Sequence, residues 1–351
     1  MPRVKIRKYR ELTPFYLEEG DIVFSRVGEI GRTFYVTEKE RGWLFSGQTL
    51  RIRIKNPKVN TKYIDYFFQT PQAKEISENS ALGSTRLSIN TEILENRIVP
   101  LPPPDEQARI AAVLSWFDDL IENKKRQNEI LENTAMALFK SWFVDFEPFR
   151  DVEFVYSEEL GREVPREWEV RPIGEVAKVI MGQSPPSKYY NENGEGLPFI
   201  QGKGQMGEII PSTTVYCSKN IKMARAHDIL VTVRAPVGEL NIAERDYIIG
   251  RGIAGLRSKY WVFLYLHLQM DKERLKSYER GTTYDAITKE EIESFPLLLP
   301  SEPVLQRFHE MVEPLFRKII NNEKEIMVLK KARDALLPLL VFGKLRVEAI
   351  E

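Results

Sequence analysis

Cysteine and histidine are scarce in this chain. Its 351 residues include one cysteine, Cys217, and three histidines that lie far apart, His227, His267 and His309. A single thiol excludes a disulfide within the chain and any cysteine-based zinc site. We therefore expect no metal centre and a reducing, cytoplasmic location.

Long apolar runs and signal-like segments are also missing. The sequence has no apolar stretch of the roughly 18 residues that a membrane-spanning helix needs. Its beginning, MPRVKIRKYRELTPFYLEEGD, is basic but lacks the apolar core of a secretion signal. We expect no membrane partner.

The usual catalytic motifs do not occur either. The chain has no Walker-type phosphate loop, no paired-histidine zinc helix, no serine nucleophile elbow and no cysteine–histidine couple. The adjacent carboxylates Asp118-Asp119 and Glu290-Glu291 stand in charge-rich, helix-like segments, where solvated faces are more common than acid–base pairs. The sequence therefore favours a chain without an active site of its own.

Net charge is zero, so the overall balance of charge is neutral toward a polyanionic partner. The composition, 42% hydrophobic and 29% charged, is that of an ordinary globular protein. The length exceeds what one hydrophobic core usually fills and predicts two or three domains.

An internal repeat is the main organising feature. One match pairs GSTRLSINTEILENRIVPLP at 83–102 with GTTYDAITKEEIESFPLLLP at 281–300. A second pairs GDIVFSRVGEIG at 20–31 with HDILVTVRAPVGEL at 227–240, and aligns Arg26 with Arg234. A third pairs the apolar-periodic segments 106–131 and 305–329. Three matches in the same order indicate a duplicated unit: a strand-rich domain, a proline-rich exit and a long helix.

Apolar spacing predicts the long helices. Residues recur at i, i+3, i+4 and i+7 from Ile110 onward, which favours a helix that begins with Asp105 as N-cap and reaches about Phe146, roughly 60 Å. The second helix carries the same stripe from Leu305, with Pro314 expected to kink it or delay its start. The polar centres, 122–129 and 321–325, are either solvated stretches where the helices cross or a docking surface.

The remaining segments read as short strands and turns, with one helix in each repeat at Thr61–Ser77 and Tyr260–Glu279. Together these patterns predict an α+β fold in which two pseudo-repeated mixed α/β domains alternate with two long helices. This organisation is not that of a doubly wound sheet.

A glycine-rich segment, Gly202 to Gly207, spells G-x-G-x-x-G, but a proline and a β-branched run follow it, so no helix opens to hold a dinucleotide. It is either a plain turn between strands or a loop that reaches a DNA groove, because glutamine and lysine suit contacts to base edges and phosphates. The loops after Gly83 and Gly281 are either turns or phosphate contacts, because hydroxyl residues follow each glycine. The candidate DNA-contacting residues are Gln201, Lys203, Gln205, Arg234, Arg251, Thr282, Thr283, Tyr284, Arg26, Ser84, Thr85 and Arg86.

One stretch resembles a known family. Residues 101–150 contain Pro-Pro-x-x-Glu-Gln, an amphipathic helix and Leu-Phe-Lys-Ser-Trp-Phe-Val-Asp-Phe, in the order found in the central conserved region of specificity subunits of Type I restriction–modification systems. PREWEVRPIGEVAKVIMGQSPPS at 165–187 resembles the opening of that family's second target-recognition domain. The resemblance covers nearly the whole chain.

The resemblance implies a non-catalytic subunit whose two target-recognition domains each read one half of a split double-stranded DNA site. It implies that the long helices pack antiparallel as a coiled-coil spacer and dock two modification (methyltransferase) subunits, for which Phe139, Trp142 and Phe143 are our candidates. Two restriction (endonuclease/translocase) subunits are possible further partners. The chain itself would bind no cofactor, whereas the assembled complex would use S-adenosylmethionine, ATP and Mg.

The resemblance also divides the chain: a first recognition domain at 1–102, a central helix at 103–150, a second recognition domain at 151–300 and a C-terminal helix at 301–351. The first domain departs from the family because no counterpart of 167–187 precedes Asp21. We expect this domain to be N-terminally incomplete, through truncation or loss. The competing interpretations are an enzyme with an unfamiliar site and a coiled-coil scaffold without DNA readout.

Overall fold

The computed structural model describes residues 12–83, 87–277 and 286–347. The chain divides into two compact units, of which the first comprises residues 1–123 with 326–351 and the second comprises residues 124–325. Helices and strands are mixed in both, as the sequence predicts. None of the described helices is long and apolar enough to span a bilayer.

The first unit is built on a three-stranded antiparallel sheet of order β2-β1-β3. Ile22 and Phe24 of the central strand are buried against the helices, while the residues between them are half-buried, as alternation in a strand requires. Its elements are β1 (Ile22–Ser25), β2 (Thr33–Tyr35), β3 (Thr49–Ile52), α1 (Thr61–Gln69), α2 (Pro71–Asn79) and α3 (Thr91–Glu95).

Two helices stand where the sequence predicted one over Thr61–Ser77, and that prediction is wrong at Thr70. Thr70 is extended, at φ −62° and ψ 146°, because the ring of Pro71 disfavours helical geometry in the residue before it. The Thr70 hydroxyl then accepts a hydrogen bond from the backbone N–H of Ala73 and caps α2. The single predicted helix over Tyr260–Glu279 is likewise divided in the structure, at Asp271.

The second unit contains a five-stranded sheet of order β11-β14-β9-β10-β8 and a four-stranded antiparallel sheet of order β13-β12-β15-β7. Two-stranded pairs, β16-β6 and β4-β5, complete it. Its strands are β4 (Phe154–Ser157), β5 (Arg162–Pro165), β6 (Glu169–Pro172), β7 (Lys178–Met181), β8 (Tyr190–Asn191), β9 (Leu197–Ile200), β10 (Tyr216–Cys217), β11 (Met223–Ala224), β12 (Ile229–Thr232), β13 (Leu240–Ile242), β14 (Tyr247–Ile249), β15 (Ile253–Arg257) and β16 (Pro296–Leu299).

One short helix of the second unit, over Trp261–Met270, is apolar on nearly every face and is almost wholly buried. Short 3-10 turns connect several elements of both units. The helices α5 (Ile173–Val176), α6 (Trp261–Met270), α7 (Lys272–Lys276) and α8 (Lys289–Glu293) belong to this unit, and the 3-10 turns are Thr13–Phe15, Glu38–Glu40, Glu147–Phe149, Ser187–Tyr189 and Lys203–Gln205.

The repeat seen in the sequence is also present in the structure. β1, β2 and β3 have the same order and pairing as β12, β13 and β15. α3 and α8 occupy equivalent positions behind side-chain N-caps, Asn90 and Thr288. Among the described residues, the first unit has no counterpart of β6 or β7.

Two long helices, α4 (Pro104–Phe143) and α9 (Glu302–Val341), contain 40 residues each. α4 begins one residue before the predicted N-cap and ends three before Phe146, which takes a left-handed φ of 52° outside the helix. α9 begins at Glu302 and continues through Pro314, so the predicted delayed start is wrong. Both helices contribute residues to each unit, Asn123 and Ile326 being the points of division.

Within each unit α4 and α9 run antiparallel. In the first unit Asp118 pairs with Arg333, at 2.6 Å, and Leu114 shares the core with Leu337. In the second unit Asn128 pairs with Glu323, while Phe139 packs on Phe308 farther along. The helix pair is therefore part of each core.

The polar centres are not wholly solvated. Asn128, Asn322 and Glu323 are buried, and the prediction of a solvated stretch is wrong for these three. Asn128 donates to Glu323 Oε1 at 2.7 Å and accepts from Asn322 Nδ2 at 2.8 Å. The side chains around them remain exposed or half-buried.

Candidate nucleic-acid interface

Loops of the second unit converge at one edge of its two main sheets. β9 and β14 are parallel, so their carboxyl ends meet, at Gln201 and Gly250. β12 is antiparallel to β15, which brings Val233 to the amino end of β15. The loop after β7 arrives at the same end because β7 is also antiparallel to β15.

Backbone hydrogen bonds tie these loops together. The N–H of Gly252 donates to the Gln201 carbonyl at 3.1 Å, and the N–H of Val233 donates to the Gly252 carbonyl at 2.9 Å. The N–H of Arg251 donates to Ser184 Oγ at 3.2 Å. The edge is thus one hydrogen-bonded surface, which can present side chains in a fixed arrangement.

Glycine is required where the loops approach most closely. A Cβ atom on Gly252 would lie 2.3 Å from the Gln201 carbonyl oxygen, and one on Gly182 would lie 2.2 Å from the Gly250 oxygen. Both contacts are with backbone, which cannot move aside without breaking the cluster. These two glycines therefore allow the loops to pack together.

Three of the predicted contact residues belong to this edge. Gln201, Arg234 and Arg251 are exposed, and each is next to or within the hydrogen-bonded cluster. Among the described residues no carboxylate forms an ion pair with either arginine. Two unpaired guanidinium groups beside an amide match the donors that bind phosphates and guanine edges.

Lys203 and Gln205 already have partners in the second unit. Gln205 Oε1 accepts hydrogen bonds from the N–H groups of Gln201, at 3.3 Å, and Gly202, at 3.2 Å, and so holds the glycine-rich turn. Lys203 lies 3.5 Å from a carboxylate oxygen of Glu239. A plain 3-10 turn occupies Lys203–Gln205, and no helix opens there. Contact between these two residues and DNA stays a prediction.

The loop after β7 is a candidate source of DNA contacts that was not predicted from the sequence. Gln183 is exposed and its N–H donates to the Ile249 carbonyl at 2.9 Å, so it belongs to the same edge as Arg251. The run Gly-Gln-Ser-Pro-Pro, directly after a strand with β-branched residues, is the feature of the sequence that could have indicated this loop.

The first unit offers Arg26 at the end of β1, half-buried. Its carbonyl accepts from the N–H of Ile89, just as the carbonyl of Val233 accepts from Ile287, so the backbone counterpart of Arg26 is Val233 and the alignment with Arg234 is one residue off. Six further candidates lie outside the described residues: Ser84, Thr85, Arg86, Thr282, Thr283 and Tyr284.

Phe139, Trp142 and Phe143 are core residues and not the docking residues that the sequence predicted. They are buried in the second unit, with exposures of 0%, 9% and 3%. The ring centroids of Phe143 and Phe308 are 4.7 Å apart, so this cluster joins α4 to α9. Because other residues of the chain bury these three side chains, the prediction that they dock a partner is wrong.

The surface of α4 does carry apolar groups elsewhere. Trp116 is 61% exposed and Leu120 is 50% exposed, and four residues apart they share one helix face. The described part of the chain holds no group of three histidine, cysteine or carboxylate side chains arranged for a metal ion.

Comparisons with known proteins point to one family. A family model described as the Type I restriction modification DNA specificity domain matches residues 9–133 and 165–331. The chain is 39% identical over 322 residues to the Type I restriction enzyme MjaIX specificity subunit of Methanocaldococcus jannaschii, covering 88% of this chain and 74% of that protein. It is 24% identical over 405 residues to the HindI specificity subunit of Haemophilus influenzae, with 94% and 87% covered.

A solved structure shares the fold. The S subunit of a Type I restriction–modification system from M. genitalium aligns with a TM-score of 0.59 at 20% identity, over 93% of this chain and 84% of that one.

Proposed function

The chain belongs to the family of Type I restriction–modification DNA specificity subunits, and we propose that it is the DNA-recognising, non-catalytic subunit of such a complex. The observation that carries this proposal is the tied loop edge of the second unit. Its exposed Gln201, Arg234 and Arg251 offer amide and guanidinium donors on a rigid backbone. Such donors read base edges and neutralise phosphates.

Each unit is proposed to read one half of a split double-stranded site. The repeat supports this, since β1 to β3 and β12, β13 and β15 share order and pairing. The second unit has the more complete set of strands among the described residues and is the better-supported reader. Arg26 is the described candidate of the first unit.

The chemistry is assigned to partner subunits. Two modification subunits would supply S-adenosylmethionine-dependent methyl transfer, and two restriction subunits would add cleavage and translocation that use ATP and Mg. Recognition needs no reactive group in this chain, and the absence of catalytic motifs from the sequence is compatible with that division.

The long helices are proposed to act as a coiled-coil spacer that sets the gap between half-sites and docks the modification subunits. The antiparallel pairing of α4 with α9 within each unit supports the spacer. The exposed Trp116 and Leu120 replace the buried aromatic residues as docking candidates.

The test is a double substitution, Arg234→Ala with Arg251→Ala, assayed with the modification subunits present. Loss of one base-edge contact typically costs about 1–3 kcal/mol, so we expect DNA affinity to fall at least about tenfold and one half-site to become degenerate. The matched control is Arg166→Ala, an exposed arginine directly after β5 that pairs with Glu153.

Unchanged affinity and an unchanged methylated sequence in the double variant would remove the loop edge from DNA recognition. Absence of any DNA binding in the wild-type assembly would favour a coiled-coil scaffold instead.

A further inference from the structure

A basic cavity lies in the second unit. Its volume is about 510 Å³ and its walls come from β7, β11, the end of β15 and the start of α8. Lys178 and Arg257 mark its position, because they pair at the opposite end of β7 and β15 from Gly182 and Ile253. This end of the cavity lies away from the loop edge, while Met181 and Lys222 extend toward that edge.

Five cations and no carboxylate line this cavity: Lys178, Lys222, Arg225, Arg257 and Lys289. Arg257 is neutralised by Asp228, and Lys289 lies 2.9 Å from Glu293. Lys178, Lys222 and Arg225 are exposed, and none of them forms an ion pair with another described residue. In a chain of zero net charge, this is a local excess of three positive charges.

The floor and one wall are apolar. Ile180 of β7 and Met223 of β11 line the cavity between the cations, and Ile180 lies on the face of β7 that is turned toward β11. A DNA phosphate would gain nothing from this floor, and a rigid duplex is too broad to enter so small a cavity. A flexible ligand that alternates carboxylates with aliphatic side chains would use both kinds of surface.

The wall formed by β11 is also an open strand edge. β11 is the outermost strand of its sheet in the described residues. The N–H of Ile249 donates to the carbonyl of Lys222, so Lys222 faces β14 and the backbone groups of Met223 face the other way. An extended peptide could therefore pair with Met223 as an added strand.

A strand added there would have a surface to lie on. Ala224 of β11 lies over Gly255 of β15, with its Cβ 3.5 Å from where a Cβ of Gly255 would stand. β7 is the next strand beyond β15, and the cavity is the space above it next to β11. The five-stranded sheet thus ends one strand short of covering the four-stranded sheet.

We propose that this cavity binds an extended acidic peptide segment of a partner protein, which pairs with β11 through Met223 and places its carboxylates on Lys178, Lys222 and Arg225. Its aliphatic side chains lie on Ile180. Binding of this kind is a function additional to DNA recognition.

The test uses a fluorescein-labelled decapeptide that alternates aspartate with valine, titrated against the full chain alone and followed by anisotropy. We expect saturable binding that weakens as salt is raised. Combined Lys178→Glu, Lys222→Glu and Arg225→Glu should reduce affinity more than tenfold, and the three Gln substitutions should give an intermediate loss. The matched control, Lys140→Glu with Arg166→Glu and Lys318→Glu, reverses three exposed cations elsewhere in the second unit.

Two further comparisons make the outcome decisive. A peptide methylated at every backbone nitrogen has no N–H to donate to a strand edge and should bind more weakly. Equal affinity for wild type and the cavity variant, or an equal loss in the control variant, would overturn the proposal. Loss of duplex binding in the cavity variant, with no peptide binding to wild type, would identify a DNA phosphate surface instead.

Discussion

Asp21 and Asp228 begin the central strand of each unit, and each is almost fully buried, at 1% exposure. Arg53 binds Asp21 through two nitrogens, both at 2.7 Å, and Arg257 binds Asp228 in the same manner, at 2.8 and 2.7 Å. Each carboxylate also accepts from the backbone N–H three residues before it. An equivalent buried ion pair thus holds the start of the equivalent strand in each unit.

Arg257→Met should destabilise the second unit strongly, because it leaves the buried carboxylate of Asp228 without a counter-ion. Since Arg257 is partly exposed, we expect a loss of about 2–4 kcal/mol in the free energy of unfolding, below the full range for a buried pair. Urea denaturation of the purified wild type and variant measures this loss in the free energy of unfolding.

Arg166→Met removes an exposed ion pair and should cost less than about 1 kcal/mol. If both substitutions cost the same, the buried pair is not what holds the strand.

Glu132 of α4 is a second unusual carboxylate. Burial in the second unit, together with the charges of Glu323, Glu208 and Glu129, raises its pKa to about 7. The folded unit therefore holds a proton at a pH where the unfolded chain has released it.

Stability should accordingly fall as pH rises between about 4.5 and 7, since the proton that the folded state retains is lost in that window. Glu132→Gln removes this dependence, and at pH 8 it should be more stable than wild type by on the order of 1 kcal/mol, after allowance for solvent screening. Denaturation curves at pH 5, 6, 7 and 8 measure it. Parallel pH profiles of wild type and variant would contradict the assignment.

For single residues, the sequence could predict only part of the buried ion pairs and of the candidate DNA-binding edge. The aspartates were visible because they start matched strands, but their arginine partners stand 32 and 29 residues away and carry no local signal. Gln201, Arg234 and Arg251 were found from residue type, while their common edge depends on strand pairing.

Helices α4 and α9 are the elements that sequence predicted best. Their apolar stripes extend over 40 residues, long enough for the 3.6-residue period to be unambiguous. The shorter helices were joined wrongly at Thr70 and Asp271, because apolar spacing continues across a break that backbone geometry imposes. Phe139 and Trp142 were misjudged because a family signature does not distinguish core packing from an interface.

The buried Asn128, Asn322 and Glu323 form a polar layer between α4 and α9 in the second unit. A polar group at a helix seam favours one register because any other leaves it unpaired. This layer gives the helix pair a defined alignment that its aliphatic stripe alone would not.

Asn128→Ala should remove about 1–3 kcal/mol of stability, since it removes the buried hydrogen bonds that Asn128 forms with Glu323 Oε1 and Asn322 Nδ2. Asn133→Ala, at an exposed position of the same helix, is the matched control and should lie within about 0.5 kcal/mol of wild type. Thermal unfolding of both variants compares them. Equal melting temperatures would show that the layer contributes nothing to the helix pair.

For the whole molecule, the duplication and the family could be inferred from sequence because three matches occur in the same order along the chain. The bases recognised could not, since readout depends on where loop side chains lie against a groove. Zero net charge further suggests that partner subunits supply much of the phosphate neutralisation.

The central claim is that this chain specifies a split DNA site with a gap set by α4 and α9. The most direct test is methylome sequencing of cells that express the chain with its modification subunits. It compares wild type with a variant that carries seven extra residues after Asn123 and a matching seven before Ile326, the points at which the units divide. We predict a two-part methylated sequence with unchanged halves and a longer gap in the variant. An unchanged gap, or methylation independent of this chain, would contradict the account.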